Sequence, residues 1–144
     1  MTKFSANLGF LWPELALPDS IRAAKQAGFD AVECHWPFDV PPDAVNDALA
    51  ETGFTMLGLN APRGDVAGGE NGMAALSGRE ADAREAIDQA VSYAAATNTL
   101  NVHVMAGFAT GKDAHDTFIG NLRYASNAAR EQGITVLIEP LNRY

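Results

Sequence analysis

The sequence predicts an α/β fold in which five parallel strands alternate with four helices, in the order βαβαβαβαβ. Two observations predict this order. Helical segments repeatedly end at a residue suited to a left-handed backbone and pass directly into a β-rich run, and the helices carry apolar residues at 3.6-residue spacing. The chain has 144 residues, of which 47% are hydrophobic, and it contains no linker or charge run. We therefore expect one unit over 1–144 without an internal boundary.

The joins between helix and strand are the most regular feature. After a first strand FSANLG, Gly28, Gly53 and Gly133 each close a helical segment and precede the strands AVEC, TMLGLN and TVLIE. Glycine closes a helix C-terminus because it adopts positive φ at little steric cost. Asn98 stands at the same place before NVHVM, and asparagine is the next-best residue for that conformation.

Each predicted helix has one apolar stripe, and the strands are short and mostly apolar, as in a parallel sheet covered by helices. The stripes consist of Ile21, Ala24 and Ala27; Val45, Ala48 and Leu49; Ala83, Ile87, Ala90, Val91 and Ala94; and Phe118, Leu122, Ala125 and Ala129. Ser77 and Glu80 have the spacing of a capping box at the start of the third helix. Two architectures remain open on these grounds: a complete, open doubly wound sheet, and the first half of a closed (β/α)₈ barrel, which needs roughly 250 residues.

Polar side chains stand at the C-terminal end of every predicted strand. They are Asn7, Glu33, Asn60, His103 and Glu139. Ligands gather at this edge in both architectures, so these residues predict a polar site. Glu139 follows four β-favouring residues, and its charge suits a divalent cation or a general base, a salt bridge to a helix-end cation being the structural alternative. His103 alternates with two valines and is expected to be a ligand, an acid, a hydrogen-bond donor or a buried structural histidine.

Two arginines flank a long loop after the third strand. Arg63 and Arg79 enclose five glycines, and a guanidinium there could pair with a substrate carboxylate or stay solvated on the surface. The glycines permit a close approach to a ligand or a lid. The loop lacks the residue order of a phosphate-binding loop, which weakens a nucleotide-binding interpretation.

Aromatic residues cluster after the first two strands. Phe10, Trp12 and Trp36 could form an apolar wall or pack at the rim of the fold. Cys34 is expected to pack in the core because no activating base is evident beside it. His35 is assigned no role.

Charge and cysteine content exclude several classes of function. Eighteen acidic and ten basic residues give a net charge of −8, which repels nucleic acid and anionic lipid. Cys34 is the only cysteine, so an intrachain disulfide is excluded and a reducing, cytoplasmic setting fits. We read no signal peptide, and no window approaches the roughly 20 apolar residues of a membrane span.

Several stretches resemble a known family. SANLGFLW, AGFDAVECHWPFD, LNAPRGDVAGGENGMAALSGRE, NVHVMAG and VLIEPLNRY are similar to the N-terminal half of hydroxypyruvate isomerases, in the xylose isomerase-like TIM-barrel superfamily. The resemblance spans essentially the whole chain and implies the first half of a (β/α)₈ TIM barrel. It also implies a cytoplasmic enzyme that isomerises hydroxypyruvate to tartronate semialdehyde through an enediolate, at a site holding Mg²⁺ or Mn²⁺.

The resemblance also implies roles for residues of the site. Glu139 matches the family's first metal-binding and catalytic glutamate, while Asn7, Asn60, Arg63 and His103 are candidates for binding a small hydroxy-oxo acid. The family's other ligands lie on later strands, and this sequence ends five residues after Glu139. We therefore expect a truncated chain with an incomplete metal site, and open strand edges that two copies could close as a homo-oligomer.

Three alternatives remain. The first is a 2-oxo-tetronate isomerase or another sugar epimerase or isomerase of the superfamily. The second, an apurinic-site endonuclease, is disfavoured because the third strand ends in Asn60 rather than a zinc-binding histidine and because the net charge is −8. The third is an inactive half-barrel fragment or assembly module.

Overall fold

The computed structural model describes residues 1–140, so the last four residues of the stretch VLIEPLNRY lie outside the described part. Strands and helices alternate in the predicted order. The strands are β1 Ser5–Asn7, β2 Ala31–Glu33, β3 Gly58–Asn60, β4 Asn101–His103 and β5 Thr135–Leu137, and the helices are α1 Leu17–Gln26, α2 Pro42–Thr52, α3 Glu80–Ala96 and α4 Lys112–Glu131.

The strands pair in parallel and in chain order. β1 pairs with β2, β3 with β4, and β4 with β5, and an isolated parallel bridge between Val32 and Met56 connects β2 to the segment that leads into β3. A doubly wound sheet reverses its strand order at a switch point, whereas a barrel wall does not. The observed order is that of a half barrel, so the open doubly wound alternative is wrong.

The predicted joins between helix and strand are confirmed. Gly28, Gly53, Asn98 and Gly133 have φ values of 86°, 70°, 51° and 70°. The predicted capping box is not formed. The N-cap residue of α3 is Arg79, and no side-chain hydrogen bond caps the first turn of the helix. The Ser77 hydroxyl instead shares a hydrogen bond of 3.1 Å with the hydroxyl of Thr117 on α4.

The core lies between the helices and one face of the strands. The middle residue of each of the first four strands is buried: Ala6, Val32, Leu59 and Val102. Cys34 lies in the same core, where burial raises the pKa of its thiol to about 12, so the expectation of a packing role is confirmed. Among the described residues, none of the helices combines the length and the apolar character that crossing a membrane requires.

Candidate functional site

The polar residues that end the first four strands lie in register as two pairs. The buried middle residue of each strand faces the helices, so the residues on either side of it face the barrel interior. Asn7 is paired with Glu33, and Asn60 is paired with His103. Adjacent strands are about 4.8 Å apart, so the side chains of each pair are neighbours. The bridge between Val32 and Met56 sets Glu33 level with Leu57, so the second pair lies further toward the carboxyl edge than the first. We call these four side chains the polar row.

Glu139 lies just above this row. The predicted strand TVLIE extends too far, because β5 ends at Leu137. The Glu139 carboxylate Oε2 is 3.9 Å from Nδ1 of His103, and its side chain is 63% exposed. Within residues 1–140, the basic side chain within 4 Å of this carboxylate is His103, and no helix-end lysine or arginine pairs with it, so the structural alternative weighed for Glu139 is not observed.

His103 connects Glu139 to the polar row. Its Nδ1 is 3.3 Å from Oδ1 of Asn60, and the residue is 9% exposed. Burial lowers the pKa of His103, and this outweighs the opposite effect of the Glu139 carboxylate. The imidazole is therefore neutral at pH 7, with one nitrogen available to donate and one to accept a hydrogen bond.

A second group, which we call the aromatic wall, consists of Phe10, His35 and Trp36. The His35 ring is 4.8 Å from the Phe10 ring and 4.9 Å from the Trp36 ring, measured between centroids. Only glycine fits beneath His35, because a Cβ at Gly9 would lie 2.1 Å from its Nδ1. Trp12, predicted as part of this wall, packs instead against Phe29 in the core.

His35 is the functional candidate that the sequence reasoning missed. Burial lowers the pKa of His35, the carboxylates of Glu33 and Glu139 oppose that effect, and the charge of Arg63 adds to it. All three charges act on this imidazole, so His35 belongs to the same charged region as Glu139 and Arg63. Its position two residues after Glu33 is the signal that could have identified it, because alternate residues face the same side of a strand.

The long loop between β3 and α3, residues 61–79, is docked rather than open. Gly72 forms an antiparallel bridge with Ala106 of the β4–α4 loop. The Ala74 amide donates to the Met105 carbonyl at 3.1 Å, and the Ala75 amide donates to the Ala106 carbonyl at 2.8 Å. These backbone hydrogen bonds hold the two loops together, so the glycines support a fixed wall in place of a lid.

The two arginines of this loop differ in their partners. Arg79 forms ion pairs with Glu70 and Asp82, so it is engaged within the protein and is not placed to bind a substrate. The Arg63 guanidinium carbon lies 3.8 Å from the centroid of the Trp36 ring. Within residues 1–140, no carboxylate lies within salt-bridge distance of Arg63.

A groove of about 830 Å³ opens beside Glu139 and His103, between the β4–α4 loop and the end of β5. Its apolar walls include Met105, Phe108 and Ile138. The volume is that of a site for a small organic molecule. The two polar groups therefore face a space that a substrate can occupy.

The described residues do not by themselves form a metal site. No group of three or more histidine, cysteine, aspartate or glutamate side chains in residues 1–140 is arranged to hold a metal ion. Glu139, with His103 beside it, supplies one carboxylate, and a divalent cation needs more oxygen ligands than this.

Comparisons with known proteins identify the family. Residues 21–144 match the model of the xylose isomerase-like TIM barrel family. A putative hydroxypyruvate isomerase of Homo sapiens is 40% identical over 97% of this chain and 54% of its own length. A 2-oxo-tetronate isomerase of Cupriavidus necator is 42% identical over 99% of this chain and 56% of its own length.

A solved structure from Brucella melitensis, described as an AP endonuclease of family 2, superimposes with a TM-score of 0.92 at 41% identity, over 99% of this chain and 56% of that one. The chain thus spans about half the length of the curated relatives it matches. The strand order, the polar edge and these matches agree. The chain belongs to the xylose isomerase-like TIM barrel family.

Proposed function

We propose that the protein containing this chain isomerises hydroxypyruvate to tartronate semialdehyde. The observation that carries the proposal is the pairing of the Glu139 carboxylate with His103, 3.9 Å apart, at the mouth of the half barrel and facing the groove. The name of the 40% identical human relative supports the same reaction. We place the enzyme in the cytoplasm, since its single buried thiol needs no oxidising compartment.

The reaction moves one proton between adjacent carbons. A base removes a proton from the hydroxymethyl carbon of hydroxypyruvate, which leaves an enediolate. The hydroxyl proton of that carbon passes to the former carbonyl oxygen, and the removed proton is delivered to the neighbouring carbon, which gives the aldehyde and a new hydroxyl group. We assign the removal to Glu139, whose carboxylate is exposed to the groove and ready to accept a proton. Neutral His103 donates a hydrogen bond to a substrate oxygen, and Asn7 and Asn60 bind the remaining oxygens from the polar row.

The proposal includes a divalent metal, Mg²⁺ or Mn²⁺, with Glu139 among its ligands. When bound, such an ion polarises the carbonyl and hydroxyl oxygens of the substrate. The residues of 1–140 do not complete a site for it, as described above, so the remaining ligands must come from other residues or another chain.

A second candidate substrate is 2-oxo-tetronate. The relative from Cupriavidus necator that bears this name is 42% identical, which favours it about as strongly as the first. Both substrates are small hydroxy-oxo acids, and a groove of about 830 Å³ accommodates either. Nucleic acid is not proposed, because the net charge is −8 and β3 ends in Asn60.

The test is an isomerisation assay of the 144-residue chain with each acid, with Mn²⁺ and Mg²⁺ added in turn. Glu139→Gln keeps the shape of the side chain but cannot accept the proton, so we expect turnover to fall by about 100-fold or more. Glu131→Gln, at the end of α4, removes an equal charge far from the groove and should leave turnover unchanged. Equal activity of the two variants would refute the role of Glu139.

Absence of activity in the unsubstituted chain would instead favour the inactive half barrel. Calorimetric titration with Mn²⁺ separates the two cases further. Micromolar binding that Glu139→Gln abolishes supports a metal site assembled between chains, because one carboxylate alone does not hold the ion. No binding supports an inert fragment.

We also propose that two copies pair through their open edges. Within residues 1–140, β1 and β5 each have one strand partner. Leu137 and Ile138, at the end of β5, are 43% and 62% exposed. Unpaired strand edges with exposed apolar residues favour association. Light scattering should report a dimer, and a strictly monomeric chain at high concentration would eliminate the proposal.

A further inference from the structure

We infer that Arg63, seated on the ring face of Trp36, binds the carboxylate of the substrate and makes the site selective for 2-oxo acids over uncharged ketoses. The inference rests on the proposed function and specifies the substrate class of that site. It concerns a residue of the β3–α3 loop, two residues after Ala61, whose amide donates to the carbonyl of His103 at 2.9 Å.

The geometry of the guanidinium leaves its hydrogen-bond donors available. The guanidinium carbon of Arg63 lies 3.8 Å from the centroid of the Trp36 ring. A contact through the ring face stabilises the cation but uses none of its five N–H groups, which project in the plane of the guanidinium. With no carboxylate of residues 1–140 within salt-bridge distance, this fork is open to a planar carboxylate from solution.

The position of Arg63 is fixed from two sides. Its backbone carbonyl accepts a hydrogen bond of 2.9 Å from the amide of Gly72, in the segment bridged to the β4–α4 loop. The indole Nε1 of Trp36 donates to the carbonyl of Ala61 at 3.2 Å, two residues before Arg63. The ring and the arginine are therefore held to the same stretch of backbone, and the cation is preorganised before a ligand arrives.

Charges at the mouth set the orientation of a bound acid. Glu33 and Glu139 repel a carboxylate, whereas Arg63 attracts it. All three charges act on His35, whose ring centroid is 4.9 Å from that of the Trp36 ring beneath Arg63. An acid therefore binds with its carboxylate toward Arg63 and its oxo and hydroxyl groups toward Glu139 and His103.

Hydroxypyruvate and dihydroxyacetone form a matched pair of probes, because the second replaces the carboxylate of the first with a hydroxymethyl group. We would measure the dissociation constant of each by calorimetric titration of the full chain. Arg63→Gln should weaken the binding of hydroxypyruvate by about 10- to 100-fold and leave dihydroxyacetone unchanged, as expected for the loss of a charge-assisted hydrogen bond. Arg63→Lys keeps the charge without the fork and should give an intermediate loss.

The control is Arg123→Gln, which removes an equal charge from an exposed position on α4 and should change neither constant. An unchanged preference for the acid in Arg63→Gln would overturn the inference, and so would an unsubstituted chain that binds both probes equally or binds neither. Glu139→Gln tests the proposed function separately. It should lose turnover while keeping the preference for the acid, whereas Arg63→Gln should lose the preference.

Discussion

Gly72→Ala should unfold the protein far more easily than a glycine replacement elsewhere in the same loop. Gly72 has a φ of 107°, and a Cβ added there would lie 2.6 Å from the backbone oxygen of Met105 and 2.8 Å from the amide nitrogen of Gly107. Both neighbours are backbone atoms of the β4–α4 loop, so rotation of a side chain cannot relieve the clash with the added Cβ. The two loops must separate, which breaks the bridge between Gly72 and Ala106.

The magnitude combines two effects. An L-residue forced to positive φ costs about 1–2 kcal/mol, and inserting a methyl group into a close contact costs about 1–3 kcal/mol. We therefore expect the free energy of unfolding to fall by about 2–5 kcal/mol in Gly72→Ala. Gly69 has a φ of 94° with nothing within 4 Å of an added Cβ, so Gly69→Ala measures the backbone effect alone.

Urea denaturation followed by circular dichroism measures these differences, provided that the m-value is unchanged. Gly120→Ala is the opposite control, because Gly120 lies inside α4 with open space around an added Cβ. That variant should be stabilised by about 0.5–1 kcal/mol. If Gly72→Ala costs no more than Gly69→Ala, the loops are not docked through their backbones and the reasoning fails.

Three further predictions follow from buried groups. Cys34, whose pKa burial raises to about 12, should react with a thiol reagent at pH 8 far more slowly in the native protein than in urea; equal rates would contradict its burial. Because the folded protein lowers the pKa of His35, the unfolded chain binds more protons near pH 6, so the free energy of unfolding measured in EDTA should fall as pH drops below about 6.5. His35→Gln should reduce that slope without removing it, because burial also lowers the pKa of His103; an unchanged slope would refute the contribution of His35. Tyr93→Phe removes a hydrogen bond of 2.8 Å to the Val40 carbonyl and should cost about 1 kcal/mol in urea denaturation, whereas Tyr124→Phe, at the surface, should cost much less.

Local backbone chemistry made the alternation of helices and strands predictable. Asn98 shows this well, since its φ of 51° follows from the same steric argument as the glycines. The polar row was also predictable, because a strand end is visible in the sequence as the point where an apolar run stops. The register of these residues was predictable only within the pairs β1–β2 and β3–β4, because β2 and β3 are offset where Val32 bridges to Met56.

Tertiary contacts determined what sequence reasoning missed. The Ser77 hydroxyl bonds to Thr117, which lies 40 residues away, and this contact competes with the local capping box. The His35 ring fits against Gly9 of the β1–α1 loop because that residue has no side chain. Arg79 forms an ion pair with Glu70, nine residues earlier in the chain. The choice between a half barrel and a doubly wound sheet likewise depends on which strands are neighbours, which no local pattern records.

Backbone hydrogen bonds hold the β3–α3 loop in place, so the position of the loop does not depend on the side chains at its tip. Its fixed points are amide and carbonyl groups, whereas the tip at Val66 and Ala67 is exposed to solvent. Substitutions at the tip can alter what a ligand meets on entering while Arg63 and the polar row keep their places. Residues 66–67 can therefore be varied without disturbing the fold, and a library randomised there should keep the stability of the unsubstituted chain.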